Sequence, residues 1–190
     1  MWLKLKRYAA AAAGVAALCV SSAYAAPVSY QGSLTGGGVG FGNATADSGP
    51  FGDASGWQFW SFDAVFGQKI DIKVSRLIGV LDPVLGVWFG AEADTDNYFG
   101  DMTSSSLFTT LVAFGDDEML PNVAGLGGDP FLSFIALGTG TYVFAIADHS
   151  FDPTTAGALP YQVSLEVPEP GTLALAGLAL GALALRRRHN

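Results

Sequence analysis

The 190-residue sequence has few of the side chains that carry common enzyme chemistry. It contains one cysteine, Cys19, and two histidines, of which only His149 lies in the central part of the chain, residues 26–167. A His/Cys zinc site needs three or four such ligands, and a disulfide needs two cysteines. The central part therefore has neither a disulfide nor a metal centre of this type.

Basic residues are also scarce in the central part of the chain. It has sixteen acidic residues and only three basic ones, Lys69, Lys73 and Arg76, which gives a net charge of −13. A surface of this sign is repelled by phosphate groups and releases no counterions from them. Nucleic acid is excluded as a partner on these grounds.

The first 25 residues have the organisation of an export signal. Three basic residues precede the apolar run 8–20, and Ala23 and Ala25 supply the small residues that signal peptidase reads. We therefore expect cleavage after Ala25. The apolar run would reach roughly 20 Å as a helix, short of the ~30 Å hydrocarbon core, so a retained membrane anchor is the weaker alternative.

The last 23 residues have three parts: a Pro-Glu-Pro motif, an uncharged segment and a basic tail. In order, they are Pro168, Glu169 and Pro170, then residues 171–185, then Arg186, Arg187 and Arg188. The prolines disfavour helix and keep the motif extended. The uncharged segment predicts a single short membrane helix, and the arginines would hold its end in the cytoplasm. The central part of the chain would then face outward.

This segment, VPEPGTLALAGLALGALALRRRHN, closely resembles the PEP-CTERM sorting signal of Gram-negative bacteria. The resemblance implies recognition by an exosortase-type membrane transpeptidase and cleavage at or near Pro-Glu-Pro. It also implies an inner-membrane intermediate and a final place at the cell surface or outside the cell, often in bacteria that make exopolysaccharide. A tail anchor that is never cut is the alternative.

Short β-rich segments between turn residues predict an all-β fold for the central part, an antiparallel β-sandwich or jelly roll. Residues 69–75 and 161–167 alternate apolar and polar side chains, as strands with one buried face do. Residues 142–147 are apolar on both faces, as in a central strand. Further predicted strand segments are 57–66, 84–89, 107–114 and 131–137. The N-terminal segment 26–56 is set apart, and its Gly-rich part, 32–56, predicts a loop, an edge hairpin or partial disorder.

Residues 57–167 also resemble the bacterial pre-peptidase C-terminal (PPC) domain, a secreted β-sandwich that accompanies many exported enzymes. The segments that carry the resemblance are WQFWSFDAVFGQKIDIKVS, LDPVLGVW, FGDDE, DPFLSFIALGTGTYVFAIA and YQVSLEV. The stretch between Val87 and Asp129 is longer than in that family. The resemblance implies a binding or accessory role rather than catalysis.

An acidic loop is the predicted metal site. Asp94, Asp96, Asn97 and Asp101 place four hard oxygen ligands close together, and calcium takes such ligands from flexible loops. The alternative is a solvated turn whose side chains cap backbone amides. Five other acidic residues are predicted to converge on the same end of the sandwich or to form a second site: Asp82, Asp116, Asp117, Glu118 and Asp129.

The sequence favours a noncatalytic binding or structural protein over an enzyme. Asp148, His149 and Ser150 are the residue types of a catalytic triad, but adjacent residues on an extended segment point to opposite faces, so His149 is predicted to be a surface loop residue. A secreted polysaccharide hydrolase with a carboxylate pair is the alternative, because such a pair needs only the right separation in space.

The aromatic residues raise a related hypothesis of carbohydrate binding. Trp57, Trp60 and Trp88 lie in predicted strands, where aromatic side chains are usually part of the core. Tyr98 and Phe99 lie in the acidic loop and are the better candidates for contacting a sugar.

Overall fold

The structure is a computed structural model that describes residues 28–45, 56–93, 109–150 and 157–167. These ranges contain nine strands: β1 Tyr30–Ser33, β2 Gly38–Thr45, β3 Gln58–Ala64, β4 Lys69–Arg76, β5 Pro83–Phe89, β6 Thr110–Gly115, β7 Phe131–Ile135, β8 Gly140–Asp148 and β9 Ala158–Glu166. Within them, no helix is long and apolar enough to cross a membrane.

Several predicted features lie outside the described residues. They are the export signal with Ala23 and Ala25, the calcium ligands Asp94, Asp96, Asn97 and Asp101, the aromatic pair Tyr98 and Phe99, and the C-terminal segment 168–190.

The strands form two sheets that pack face to face, which confirms the predicted β-sandwich. The first sheet has the order β1-β3-β8-β5-β6 and the second the order β2-β9-β4-β7. Neighbouring strands are antiparallel except β1 and β3, which are parallel. Since β1 and β2 lie in different sheets, the chain crosses the sandwich before it returns to β3. Such a crossover allows two strands of one sheet to run parallel.

The main core fills the space between the sheets. Ile70, Ile72 and Val74 of β4 are fully buried there, as their alternation predicts. β8 lies between β3 and β5, and its residues 142–147 are buried on both faces. The outer face of the first sheet carries a second buried apolar cluster that includes Trp57 and Trp88. The prediction of a central strand apolar on both faces is therefore confirmed.

In its described part, residues 32–45, the Gly-rich segment contains an edge strand of the second sheet, β2. Its glycines face large rings: a Cβ on Gly40 would lie 2.6 Å from the Trp60 ring, and one on Gly42 would overlap the Tyr161 hydroxyl. Trp60 Nε1 donates a hydrogen bond of 2.9 Å to that hydroxyl and so links the two sheets. Positions 40 and 42 are glycines because aromatic rings occupy the space that a larger side chain would need.

The two ends of the sandwich carry different residues. At the acidic end, β4, β6 and β8 finish and β5 begins, next to Asp82 and Asp116. At the sorting end, β9 finishes at Glu166, beside the β3–β4 and β7–β8 turns. The strands between them hold these two ends about 25 to 30 Å apart, at roughly 3.3 Å per residue.

Candidate functional site

Three neighbouring strands of the first sheet bring polar side chains together at the acidic end. Asp82 precedes β5, Asp116 follows β6, and His149 follows β8. In the order β8-β5-β6, antiparallel pairing places the start of β5 beside the ends of its two neighbours. Residues far apart in the sequence therefore meet at one edge of the sheet.

Asp82, Asp116 and Asp117 form a cluster in which one oxygen from each carboxylate lies within 4.8 Å of the others. The Oδ1 atoms of Asp82 and Asp116 are shielded from solvent and have no hydrogen-bond donor. Gly127 adopts a φ of +62°, and a Cβ there would lie 2.6 Å from Asp82 Oδ1. A side chain at position 127 would therefore collide with two of the three carboxylates, those of Asp82 and Asp117.

The cluster has an excess of negative charge. Burial and the neighbouring Asp116 raise the pKa of Asp82 to about 6, against the opposing effect of Arg76. Burial and Asp117 likewise raise the pKa of Asp116. Arg76 Nη2 lies 3.7 Å from Asp82 Oδ1, and His149 Nδ1 lies 3.6 Å from Asp116 Oδ2. A divalent cation would offset the remaining charge, and carboxylate oxygens are the ligands that calcium prefers.

Two of the five acidic residues that the sequence groups together, Asp129 and Glu118, make hydrogen bonds outside the cluster. Arg76 is fully buried, and its Nε donates a hydrogen bond of 2.7 Å to Asp129 Oδ1, while its Nη atoms donate to the carbonyls of Leu126 and Gly128. Glu118 accepts hydrogen bonds from the amides of Asp116 and Phe131. These contacts hold the loop that carries Asp117 and Gly127 against the sheet.

The Asp148-His149-Ser150 segment is part of the same structure and forms a capped turn. Ser150 Oγ donates to Asp148 Oδ2 at 2.7 Å, and the Asp82 amide donates to Asp148 Oδ1 at 3.1 Å. The His149 amide donates to the Asp82 carbonyl at 2.7 Å. His149 lies in the loop after β8 with its side chain 24% exposed, in keeping with the predicted surface loop residue, but the sequence did not place it beside Asp116. Its position directly after a buried strand was the signal that could have revealed it.

The predicted burial of the three tryptophans in the predicted strands is confirmed. Trp57 and Trp60 are 3% and 4% exposed, and Trp88 is fully buried. None of these three rings forms a sugar-binding platform on the surface.

Residues 166–188 match the profile of the PEP-CTERM protein-sorting motif. The chain carries this sorting motif, as its C-terminal sequence predicts, and the motif marks it as an exported protein. The match begins at Glu166, which is the last residue of β9. Val167 still packs against the main core. The motif therefore follows the folded sandwich without a spacer.

Among solved structures, the fold is similar to that of CorA, a surface-associated copper-binding protein of Methylomicrobium album BG8. The two are 15% identical, with a TM-score of 0.56 over 75% of this chain and 99% of CorA. The pre-peptidase C-terminal domain of a Bacillus anthracis collagenase aligns at 14% identity and a TM-score of 0.43, over 74% and 98% of the two chains. The secreted copper-binding protein MopE of Methylococcus capsulatus aligns at 12% identity and 0.45, over 72% and 87%. No curated protein matches the sequence.

Proposed function

We propose that the protein is sorted to the cell surface or the extracellular matrix of a Gram-negative bacterium, where its sandwich serves as a noncatalytic binding or structural module. The sorting motif at residues 166–188 carries this proposal. Signal peptidase removes residues 1–25, and segment 171–185 holds an inner-membrane intermediate with the sandwich outward. An exosortase-type transpeptidase then cuts at or near Pro168–Pro170.

The sorting step is tested by mass spectrometry of the protein recovered from the cell surface. We expect the mature chain to begin at Ala26 and to lack Arg186, Arg187 and Arg188, because a 15-residue segment is a marginal anchor at about 1.5 Å per residue. Intact peptides that end at Asn190 would show an uncut tail anchor instead.

We further propose that the acidic end binds a divalent cation, with calcium as the preferred ion. Two carboxylate oxygens of the cluster, Asp82 Oδ1 and Asp116 Oδ1, are shielded from solvent and have no hydrogen-bond donor, and all three clustered groups are hard oxygen ligands. Extracellular calcium modules have Kd values of about 10⁻⁴ to 10⁻³ M. At ten times Kd, binding would stabilise the fold by roughly 1.4 kcal/mol.

Thermal melting with calcium, with magnesium at matched ionic strength and with EDTA tests this site. We expect calcium to raise the Tm by a few degrees and Asp116→Asn to abolish the increase, because the variant removes a ligand. Asp63→Asn is the matched control, since it removes the same charge at the sorting end. An equal increase with magnesium would reduce the effect to charge screening, and an equal increase with calcium in Asp116→Asn would exclude the acidic end as the calcium site.

The acidic loop is a separate calcium proposal that rests on its sequence. If Asp94, Asp96, Asn97 and Asp101 hold the ion, Asp96→Ala combined with Asp101→Ala will remove the calcium-dependent stabilisation and Asp116→Asn will not. The two sets of variants therefore distinguish the loop from the acidic end.

Copper is the second candidate ion, because His149 places an imidazole nitrogen beside Asp116. Imidazole suits copper, whereas calcium takes oxygen ligands. His149→Gln should then abolish copper binding measured by calorimetry and leave the calcium-dependent increase in Tm unchanged. Copper binding that survives this variant would rule out His149 as a ligand.

Exopolysaccharide is the proposed matrix partner, and polysaccharide hydrolysis is the competing function. The crowded pair Asp82 and Asp116 favours the competitor, because a carboxyl with a pKa of about 6 can act as a general acid. Co-sedimentation with the producer's polysaccharide and release of reducing sugar separate the two. Co-sedimentation without release of reducing sugar supports the noncatalytic binding module. Release of reducing sugar that Asp82→Asn abolishes supports the hydrolase.

A further inference from the structure

The turns around the chain exit expose apolar side chains. Val65 and Phe66 of the β3–β4 turn are 49% and 71% exposed, and Leu137 of the β7–β8 turn is 55% exposed. The turns are joined by hydrogen bonds from the Phe66 amide to Thr139 Oγ1 and from the Gly67 amide to the Ala136 carbonyl, both 3.0 Å. These three side chains, here called the apolar rim, therefore occupy one rigid surface.

The apolar rim lies beside the point where the chain leaves the sandwich. A cavity of about 480 Å³ is lined by both Val65 and Val167, together with Gly36, Gln68 and Thr139. Val167 is followed by three residues of the Pro-Glu-Pro motif and then by the uncharged segment 171–185. The four residue steps from Val167 to residue 171 span at most about 14 Å when fully extended. Any surface that receives residue 171 therefore lies within about 14 Å of Val167, which lines the same cavity as Val65 of the rim.

The short length of the uncharged segment also favours a position of the sandwich close to the membrane. As a helix, 15 residues would cover about 22 Å, whereas the hydrocarbon core is ~30 Å thick. A segment that is too short thins the bilayer or draws its flanking residues toward the interface. No spacer precedes the motif, so the part of the protein next to the outer end of the uncharged segment is the sorting end of the sandwich.

We propose that the apolar rim is a membrane-docking surface that seats the sandwich on the lipid bilayer in the uncut intermediate, an inference that rests on the proposed function. The lipid interface takes up Val65, Phe66 and Leu137, and the acidic end then points away from the membrane. Asp63, Asp71 and Glu166 lie at the same end, where Lys69 pairs with Asp71, and Lys73 lines a pocket with Asp71 and Glu166, so the acidic residues outnumber the basic ones by one. Burial of apolar side chains therefore drives the docking, and anionic lipid weakens it by like-charge repulsion.

Residues 26–190, the chain that remains after the proposed removal of the signal peptide, contain no cysteine and are reconstituted in phosphatidylcholine–phosphatidylethanolamine vesicles that contain a nitroxide-labelled lipid. A fluorophore is attached at Phe66→Cys or Leu137→Cys, and at Leu120→Cys or Leu126→Cys as controls. Leu120 and Leu126 are 95% and 61% exposed, but they lie in the loop at the acidic end. We expect lipid nitroxide to remove most of the fluorescence at positions 66 and 137 and little at 120 and 126. Replacing part of the lipid with phosphatidylglycerol should reduce the quenching.

A flexible Gly-Ser spacer inserted between Val167 and Pro168 separates docking from simple proximity. If the rim binds lipid, quenching at position 66 persists with the spacer, and Val65→Ser combined with Leu137→Ser removes it. Loss of quenching with the spacer alone, or equal quenching at both ends, overturns the proposal.

The remaining outcomes distinguish this proposal from the proposed function. A chain that does not float with the vesicles refutes the membrane intermediate and with it the docking surface. A chain that floats but is not quenched at position 66 refutes docking alone. Cross-linking between labels at position 66 of two chains, without lipid quenching, shows that a second copy covers the rim.

Discussion

At the residue scale, Arg76 is a fully buried cation whose three hydrogen-bond acceptors all lie on one loop. It donates hydrogen bonds to Asp129 and to the carbonyls of Leu126 and Gly128. The arginine therefore links β4 to the loop that presents Asp117 and Gly127 to the acidic cluster. Its planar guanidinium directs donors on three separate nitrogens at these acceptors, whereas a lysine offers its donors from a single nitrogen.

We predict that Arg76→Met lowers the free energy of unfolding by about 3–5 kcal/mol, because the buried Asp129 loses its counter-charge. Urea unfolding followed by tryptophan fluorescence measures the change. Lys73→Met on the same strand is the control and should have a much smaller effect. Combining Arg76→Met with Asp129→Leu should recover part of the loss. Equal effects of the two single variants would contradict the assigned role.

At the scale of elements, β2 shows how a Gly-rich stretch becomes a strand. Alternate residues Gly40 and Gly42 face Trp60 and Tyr161, while Val39, Phe41 and Asn43 point outward. The rings complete the core, and the hydrogen bond between Trp60 and Tyr161 joins the sheets. Burial also raises the pKa of Tyr161 to about 12, so its hydroxyl keeps its proton over the neutral range.

We predict that Gly42→Ala destabilises the protein by about 1–3 kcal/mol, because the new methyl group overlaps the Tyr161 hydroxyl. Asn43→Ala, at the next and exposed position of β2, should change stability little. The midpoint of urea unfolding compares the two. Without the ring contact, replacing glycine would stabilise the fold slightly through the unfolded chain, so the sign of the effect is decisive.

At the scale of the whole molecule, the acidic end determines part of the pH dependence of stability. The pKa of Asp82 rises from 3.8 to about 6 on folding. The folded state therefore binds this proton more tightly, and the stabilisation is fully present below pH 3.8 and is lost as the pH rises through about 6.

We predict that the free energy of unfolding falls across this interval and that Asp82→Asn flattens the fall. Urea unfolding at a series of pH values measures the slope, with Asp63→Asn as the control of equal charge at the other end. Calcium at the acidic end should also flatten the slope, since a bound cation replaces the proton. An unchanged slope in Asp82→Asn would assign the pH dependence to other carboxylates.

The local and linear properties of this protein could be predicted from its amino-acid sequence. Alternation in β4 and β9 and the two apolar faces of β8 were readable because a strand has a period of two. The Pro-Glu-Pro motif, uncharged segment and basic tail were readable because they act in one short stretch. The buried tryptophans also followed, since their strands were recognisable.

The contacts between residues distant in the sequence became known only from the folded structure. The sequence grouped Asp82, Asp116 and Asp117 with Glu118 and Asp129, but it could not separate the cluster from the carboxylates that hold the loop. It did not place His149 beside Asp116 or pair β1 with β3 in parallel. These outcomes depend on sheet order and on which strand ends share an edge. Pairing between strands is a property of the assembled fold, and a local pattern of side chains does not encode it.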